Sequence, residues 1–211
     1  MDYNWIPGLC VRNIFCVSND IEPLDKSILS NHIGINGFVK TVDNKLVFVK
    51  RYGDVSIGKY LLGCSVGASL KVKYALNEDN IFTLRGLQNA IISEVKDELS
   101  IGSEHYNFSV KDNIVSIYRD LLEGGKPQIL FYIECSLDSK NINKNFKTKK
   151  TDKKLQRDGN KLIFVDVKEL NNIEIGLEKI KINNKYYRTL PSVGASLIMI
   201  MKEKQAFKKG I

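Results

Sequence analysis

The sequence predicts an α/β protein, an α/β/α sandwich in which a mixed, partly curled sheet lies between two helical layers. Three features indicate this class: paired β-rich runs, an amphipathic helix in the middle of the chain and an apolar helix near its end. The chain has 211 residues, of which 43% are hydrophobic, so one domain with a substantial core is expected. We assign residues 1–211 to that domain, with an N-terminal extension (1–32) and a basic loop (138–160). Within the extension, 8–17 reads as a strand and 22–31 as a short helix or loop.

The first half of the predicted sheet comes from three apolar runs. Residues 33–39 and 45–51 are rich in β-formers and flank the polar turn 41–44, which indicates a hairpin. A third strand over 60–66 leads into Val66-Gly67-Ala68, which reads as a glycine-bearing turn.

The second half of the sheet follows the central helix. Strands over 114–121 and 128–134 flank Glu123-Gly124-Gly125-Lys126-Pro127, whose turn chemistry predicts another hairpin. A later strand covers 162–167, and a terminal helix covers about 191–207, with its proline in the first turn.

The central helix carries a cluster of carboxylates. In the run 93–101, Glu94, Asp97 and Glu98 stand at i, i+3 and i+4 and therefore share one helical face. Like charges packed together repel, so a site that keeps three of them usually holds a cation, and oxygen ligands favour magnesium or manganese. The alternative is an ordinary solvated face.

The same run resembles the second half of the Nudix hydrolase signature, G-x5-E-x7-R-E-U-x-E-E-x-G-U, where U is aliphatic. The matching positions are Glu94, Val95, Glu98 and Ile101, with Asp97 as a conservative match. Ser93 and Ser100 stand where the family has arginine and glycine, and the glutamate of the first half is missing. The order of hairpin, strand, glycine turn, acidic helix and hairpin is similar to the Nudix order over residues 33–136.

The resemblance implies a Nudix-like hydrolase that cleaves the diphosphate of a nucleoside diphosphate linked to another group X. Glu94, Asp97 and Glu98 would then bind Mg²⁺ or Mn²⁺, and Glu94 and Glu98 would be the catalytic residues. Glu94 is the first choice as general base because it requires no further loop, whereas Glu134 and Glu123 are alternatives.

Three basic residues are candidates for holding phosphate oxygens, namely Arg51, Arg119 and Lys126. The expected partner is a nucleotide or another small diphosphate. Because Ser93 and Ser100 depart from the signature, the first alternative is a nucleotide-binding or regulatory module with impaired catalysis.

The net charge of +8 is concentrated in residues 140–161, where eight lysines and one arginine face only Asp152 and Asp158. A solvated connection explains this segment without a ligand. The functional alternative is a nucleic-acid-binding surface, against which the single aromatic residue Phe146 counts because base stacking requires several.

The remaining composition gives the expected compartment. The four cysteines show no C-x-x-C spacing and read as core residues in a reducing environment. No apolar run reaches about 18–20 residues, and the first residues lack the order of a signal peptide. We therefore expect a cytoplasmic protein without membrane association, and the oligomeric state stays open, with a homodimer among the options.

Overall fold

A computed structural model describes residues 32–51, 59–120, 125–149 and 159–203, together with Pro23 and Lys26. The strands are β1 Gly34–Lys40, β2 Lys45–Arg51, β3 Leu62–Gly63, β4 Val66–Ser69, β5 Ile114–Asp120, β6 Lys126–Glu134, β7 Gly159–Asp166, β8 Glu174–Ile175, β9 Lys179–Ile182 and β10 Lys185–Arg188. The α-helices are α1 Val72–Ala75, α2 Leu84–Leu99, α3 Val110–Asn113, α4 Ser139–Lys149 and α5 Pro191–Glu203. Two 3₁₀ turns cover Ser103–His105 and Val167–Asn172.

The main sheet has seven strands and is mixed. β6 runs parallel to β1 along the whole of β1, whereas the other pairs are antiparallel. The order is β3-β2-β1-β6-β5, with β4 paired to β1 and β7 paired to β2. Strand β1 therefore has β4 beside its first half and β2 beside its last residue, so the sheet opens between β4 and β2.

Apolar side chains on the two faces of the sheet form two separate cores. On one face, Val47 and Phe131 pack with Ile91 and Val95 of α2. On the opposite face, a second cluster is formed by side chains of the sheet and of α5: Phe38, Leu46, Phe48, Leu130, Val193, Leu197 and Ile200. Helices thus cover both faces, and the predicted α/β/α class with a mixed sheet is confirmed.

Most of the predicted elements of the main sheet are present, but one is wrong in detail. The expected strand over 60–66 is two short strands, β3 and β4, and the expected glycine turn is part of β4, in which Gly67 pairs with Asn36. A buried Ser65 between them donates to the carbonyl of Val47 and accepts from the backbone of Val39, which fixes the break in the strand. The strand predicted over 8–17 and most of the segment predicted over 22–31 lie outside the described residues.

Part of the predicted basic loop is a helix, which corrects that interpretation. Helix α4 buries Ile142 and Phe146 in the same core as α2 and exposes Lys140, Lys144 and Lys147. The two apolar residues are four apart and lie on one helical face, a pattern that the surrounding lysines and asparagines concealed.

Helix α4 is attached to the β1–β2 turn through Asp43. Its two carboxylate oxygens accept hydrogen bonds from the backbone N–H and the hydroxyl of Ser139, at 2.9 and 2.7 Å, and one oxygen is 3.1 Å from Lys45 Nζ. Burial acts to raise the pKa of Asp43, but the hydrogen bonds from Thr41, Ser139 and Lys45 outweigh it and lower the pKa.

One further part of the fold was not predicted from the sequence. Strands β8, β9 and β10 form a small antiparallel sheet, whose tight turn has Asn183 and Asn184 at positive φ. The cysteines Cys64 and Cys135 are buried and form no disulfide, as expected for core residues.

Among the described residues, no helix is both long and apolar enough to cross a membrane.

Helix α2 begins and ends with identifiable caps. At its start, the Thr83 hydroxyl accepts the N–H of Gly86 at 2.9 Å. At its end, Ser100 lies in the left-handed region at φ 60° and ψ 37°, and its N–H bonds the carbonyl of Lys96. A residue with a Cβ is unfavourable there, whereas glycine is not.

We expect Ser100→Gly to stabilise the protein by about 0.5–1 kcal/mol, because glycine removes the left-handed strain at the end of α2. The change in the free energy of unfolding is measured by urea titration. Ser93→Gly is the control, since it places glycine inside the same helix and should destabilise by about 1 kcal/mol. A loss of stability in Ser100→Gly would contradict the prediction.

Candidate functional site

The three carboxylates of α2 differ in their surroundings. Glu94 is 5% exposed, Glu98 is half-buried and Asp97 is exposed. The apolar stripe of α2 packs on the sheet, so the deepest acid lies next to the core and the shallowest faces solvent. The three carboxylates Glu94, Asp97 and Glu98 therefore share one face of α2, which we call the acidic face. It extends from the core to the surface.

Lys71 neutralises the buried carboxylate. Its Nζ lies 2.5 Å from Oε1 of Glu94, and the lysine side chain is 46% exposed. The hydrogen bond to Glu94 raises the pKa of Lys71, and the negative charge of Asp97 acts in the same direction. Lys71 lies between β4 and α1, directly after the strand that carries Gly67.

Glu98 lies against the edge of the sheet. Its Oε2 accepts the backbone N–H of Gly67 at 3.1 Å. Gly67 is exposed and pairs with Asn36 of β1, so the acidic face meets the sheet where β4 borders the opening toward β2. This contact joins the acidic helix to the strand that carries Gly67.

The carboxylates of α2 are suitable ligands for a divalent cation, but their side chains are not arranged around a common point. Carboxylate oxygens suit Mg²⁺ or Mn²⁺. Within the described part of the chain, however, no three histidine, cysteine, aspartate or glutamate side chains converge as a metal site would require. Glu94 contacts an ammonium group instead, and Glu98 contacts a backbone N–H.

The candidate phosphate ligands are spread over the sheet. Arg119 lies on β5, three strands from β4 and hence about 14 Å away, and its Nε donates to the carbonyl of Gly125. Lys126 begins β6, on the same hairpin. Arg51 ends β2, which pairs with β3, and β3 is followed along the chain by β4 with Gly67. Of the three candidates, Arg51 is thus the one next to the segment that leads into β4.

The alternative general bases differ in position. Glu134 ends β6, pairs in register with Lys40 and is 3.0 Å from its Nζ. Lys40 is four residues along β1 from Asn36, about 13 Å, so Glu134 lies away from the acidic face. Glu123 lies outside the described residues.

Sequence reasoning did not select Lys71. A signal existed, because Lys71 directly follows the glycine strand and precedes the acidic helix, but several other lysines have comparable sequence positions. Its pairing with Glu94 spans 23 positions and depends on the packing of α1 against α2.

Comparisons with known proteins give structural similarity alone. No family model matches the chain, and no curated protein matches it. Its structure is similar to that of a MutT protein from Methanosarcina mazei Go1, with 12% identity, a TM-score of 0.47 and coverage of 82% of this chain and 95% of that one. It is also similar to a NUDIX family hydrolase from Clostridium perfringens, with 10% identity, a TM-score of 0.42 and coverage of 82% and 99%. A Deinococcus radiodurans protein is similar as well, with 14% identity, a TM-score of 0.41 and coverage of 71% of this chain and 78% of that one.

Proposed function

We propose that the protein is a Nudix-like hydrolase that cleaves the diphosphate bond of a nucleoside diphosphate linked to another group. The observation that carries the proposal is the buried Glu94 with Lys71 at 2.5 Å, beside Asp97 and Glu98 at the edge of the sheet. Such a site offers a carboxylate that can accept a proton from water and an ammonium group that can neutralise phosphate oxygens.

Lys71 and Glu94 have complementary roles in this proposal. When a diphosphate binds, the half-exposed ammonium of Lys71 turns from Glu94 to a non-bridging oxygen. Glu94 is then free to accept the proton of the attacking water, while the bond between phosphorus and the bridging oxygen breaks. Glu98 stays on the Gly67 N–H and holds the end of α2 against the sheet.

Divalent metal belongs to the proposal as the cofactor that the Nudix resemblance implies. The residues that would hold Mg²⁺ or Mn²⁺ are Glu94, Asp97 and Glu98, and the ion would supply Lewis-acid chemistry there. In the arrangement described above, the ammonium of Lys71 stands where that positive charge would be.

The same ion pair supports a second candidate, a nucleotide-binding module without turnover. Since Lys71 already neutralises Glu94, the acidic face is stable without a metal ion, and Ser93 replaces the arginine of the signature. The nucleic-acid alternative is weaker, because α4 uses Phe146, the one aromatic residue of the basic segment, in the core.

The decisive assay measures turnover across nucleotide sugars, dinucleoside polyphosphates, nucleotide cofactors and nucleoside triphosphates, each with Mg²⁺, with Mn²⁺ and with a chelator. Turnover of any diphosphate that Glu94→Gln abolishes supports the hydrolase. Binding of the same nucleotides without turnover supports the module. A protein that neither hydrolyses nor binds any of these nucleotides would reject both candidates.

We expect Lys71→Met to increase the affinity for Mn²⁺ at least ten-fold, because the variant leaves the buried Glu94 without its cation. Titration calorimetry of Mn²⁺ into the protein without nucleotide measures this. Lys73→Met is the matched control, since Lys73 is two positions further along, in α1, and its Nζ lies over the Tyr74 ring. Equal Mn²⁺ affinity in the parent and in Lys71→Met would show that Lys71 and the ion do not compete.

A further inference from the structure

A row of polar side chains crosses the sheet on the face that α5 covers. It consists of Asn36 on β1, Gln128 on β6, Tyr118 on β5 and the Ser196 hydroxyl of α5, and we call it the polar row. The other inward side chains on this face are mainly apolar, with Phe38 and Leu130 fully buried. Polar groups in such a place cost stability unless they are paired, so their presence requires an explanation.

The hydrogen bonds of the row leave one acceptor available. Asn36 Nδ2 lies 3.2 Å from the Tyr118 hydroxyl and 3.3 Å from Gln128 Oε1, so the amide group donates to both. The Tyr118 hydroxyl is 3.4 Å from Oγ of Ser196. Asn36 Oδ1 has no hydrogen-bond partner among the described residues, and Asn36 is half-buried rather than enclosed.

Two glycines shape the space around the row. A Cβ at Gly34 would collide with the amide of Gln128, so glycine is needed for Gln128 to lie over β1. On the other side of Asn36, Gly67 is exposed, and a Cβ there would stand 3.7 Å from Asn36 Oδ1. The free acceptor therefore faces a residue without a side chain, from which a ligand can approach.

The row begins beside the acidic face. Gly67 pairs with Asn36 and donates its N–H to Glu98, so one residue links the acidic face to the free Oδ1. The guanidinium of Arg51 adds a second unfilled group, because its buried Nε has no hydrogen-bond partner among the described residues. A diphosphate held by Lys71 beside the acidic face would have its attached group directed past Gly67 toward the polar row.

We propose that the polar row is the subsite for the group linked to the diphosphate, and that this group presents an N–H or O–H donor to Asn36 Oδ1. The assignment rests on the proposed site at the acidic face and extends it to the other face of the sheet. A nucleobase with an amino or imino edge and a sugar with free hydroxyls both supply such donors. Tyr118 and Gln128 act as positioning residues, because their bonds to Nδ2 orient Oδ1 toward Gly67.

The experiment measures equilibrium binding rather than turnover, so its result does not depend on whether the protein is a hydrolase. Adenosine, guanosine, cytidine and uridine monophosphates, a sugar phosphate without a base and inorganic pyrophosphate are titrated into the parent, Asn36→Leu and Tyr118→Phe. Tyr132→Phe is the matched control, because Tyr132 lies on the same face and its hydroxyl bonds Glu134 at 3.3 Å.

We expect Asn36→Leu to weaken binding of the recognised monophosphate ten-fold or more and to leave pyrophosphate unchanged, because an unpaired buried donor remains on the ligand. Tyr118→Phe should weaken it less, with the fold intact. Preference for nucleoside monophosphates identifies a base, and preference for the sugar phosphate identifies hydroxyls. Unchanged binding in both variants, an equal loss for pyrophosphate, or a parent that binds none of these ligands would overturn the subsite. If the binding results agree with the subsite but no diphosphate is turned over, only the hydrolase proposal fails.

Discussion

Glu94→Gln should lower turnover of the substrate found in the diphosphatase assay by two or more orders of magnitude, about 3 kcal/mol of transition-state stabilisation. An amide of the same shape cannot accept the proton of the attacking water. The stability of the fold should change little, because the Lys71 ammonium that loses its partner is 46% exposed and can be solvated. The readout is kcat and KM from steady-state kinetics, with urea unfolding as the check on the fold.

Glu134→Gln is the matched control for this variant. Glu134 is also paired with a lysine, at 3.0 Å from Lys40 Nζ, but lies about 13 Å along β1 from the acidic face. Its turnover should equal that of the parent. A Glu94→Gln protein that keeps full turnover would remove Glu94 from catalysis, and one that unfolds would assign it a purely structural ion pair.

The main sheet could be predicted because its strands are long and continuous. Residues 45–51 form β2 with the predicted bounds, and the apolar runs around the Gly125 turn form β5 and β6. Prediction failed where strands are short. Leu62–Gly63 and Val66–Ser69 are separated by the hydrogen bonds of Ser65, and local sequence does not contain that tertiary information.

The acidic face could also be predicted, since positions i, i+3 and i+4 of one helix meet wherever that helix packs. The groups that contact this face could not be predicted from the sequence. Lys71 reaches Glu94 only because α1 packs against α2, and Glu98 reaches Gly67 only because β4 pairs with β1. The separate burial of Glu94, Glu98 and Asp97 follows from the same packing.

The polar row was missed for a different reason. Asn36 and Gln128 stand at inward positions of strands whose other inward residues are apolar, so their patterning contained a signal. That signal is visible only once the register is known, because Asn36 and Gln128 come from strands 92 positions apart. Polar residues at inward strand positions are therefore informative chiefly after the fold is established.

The basic segment shows how composition can conceal a core helix. Lysines and asparagines dominate residues 140–149, and a solvated connection was expected there. Asp138 and Asp43 nevertheless fix the start of α4, through bonds to the N–H of Asn141 at 2.7 Å and of Ser139 at 2.9 Å. Once the helix forms, Ile142 and Phe146 share its buried face.

Phe146→Ala should therefore destabilise the protein by about 3–5 kcal/mol, as expected for removing a large aromatic side chain from a packed core. Phe146 is 7% exposed and belongs to the cluster that holds Val95 and Leu99 of α2. Loosening this core should also disturb the acidic face, so the loss of stability should be accompanied by weaker nucleotide binding. Urea unfolding measures the first effect and calorimetry the second.

Lys147→Ala provides the comparison for this variant, because Lys147 is the next residue of α4 and is exposed. Its free energy of unfolding should stay within about 0.5 kcal/mol of the parent value. If Phe146→Ala changed stability as little as Lys147→Ala does, residues 139–149 would be the solvated connection that composition alone suggests, and their basic side chains would again be free to act as a nucleic-acid-binding surface.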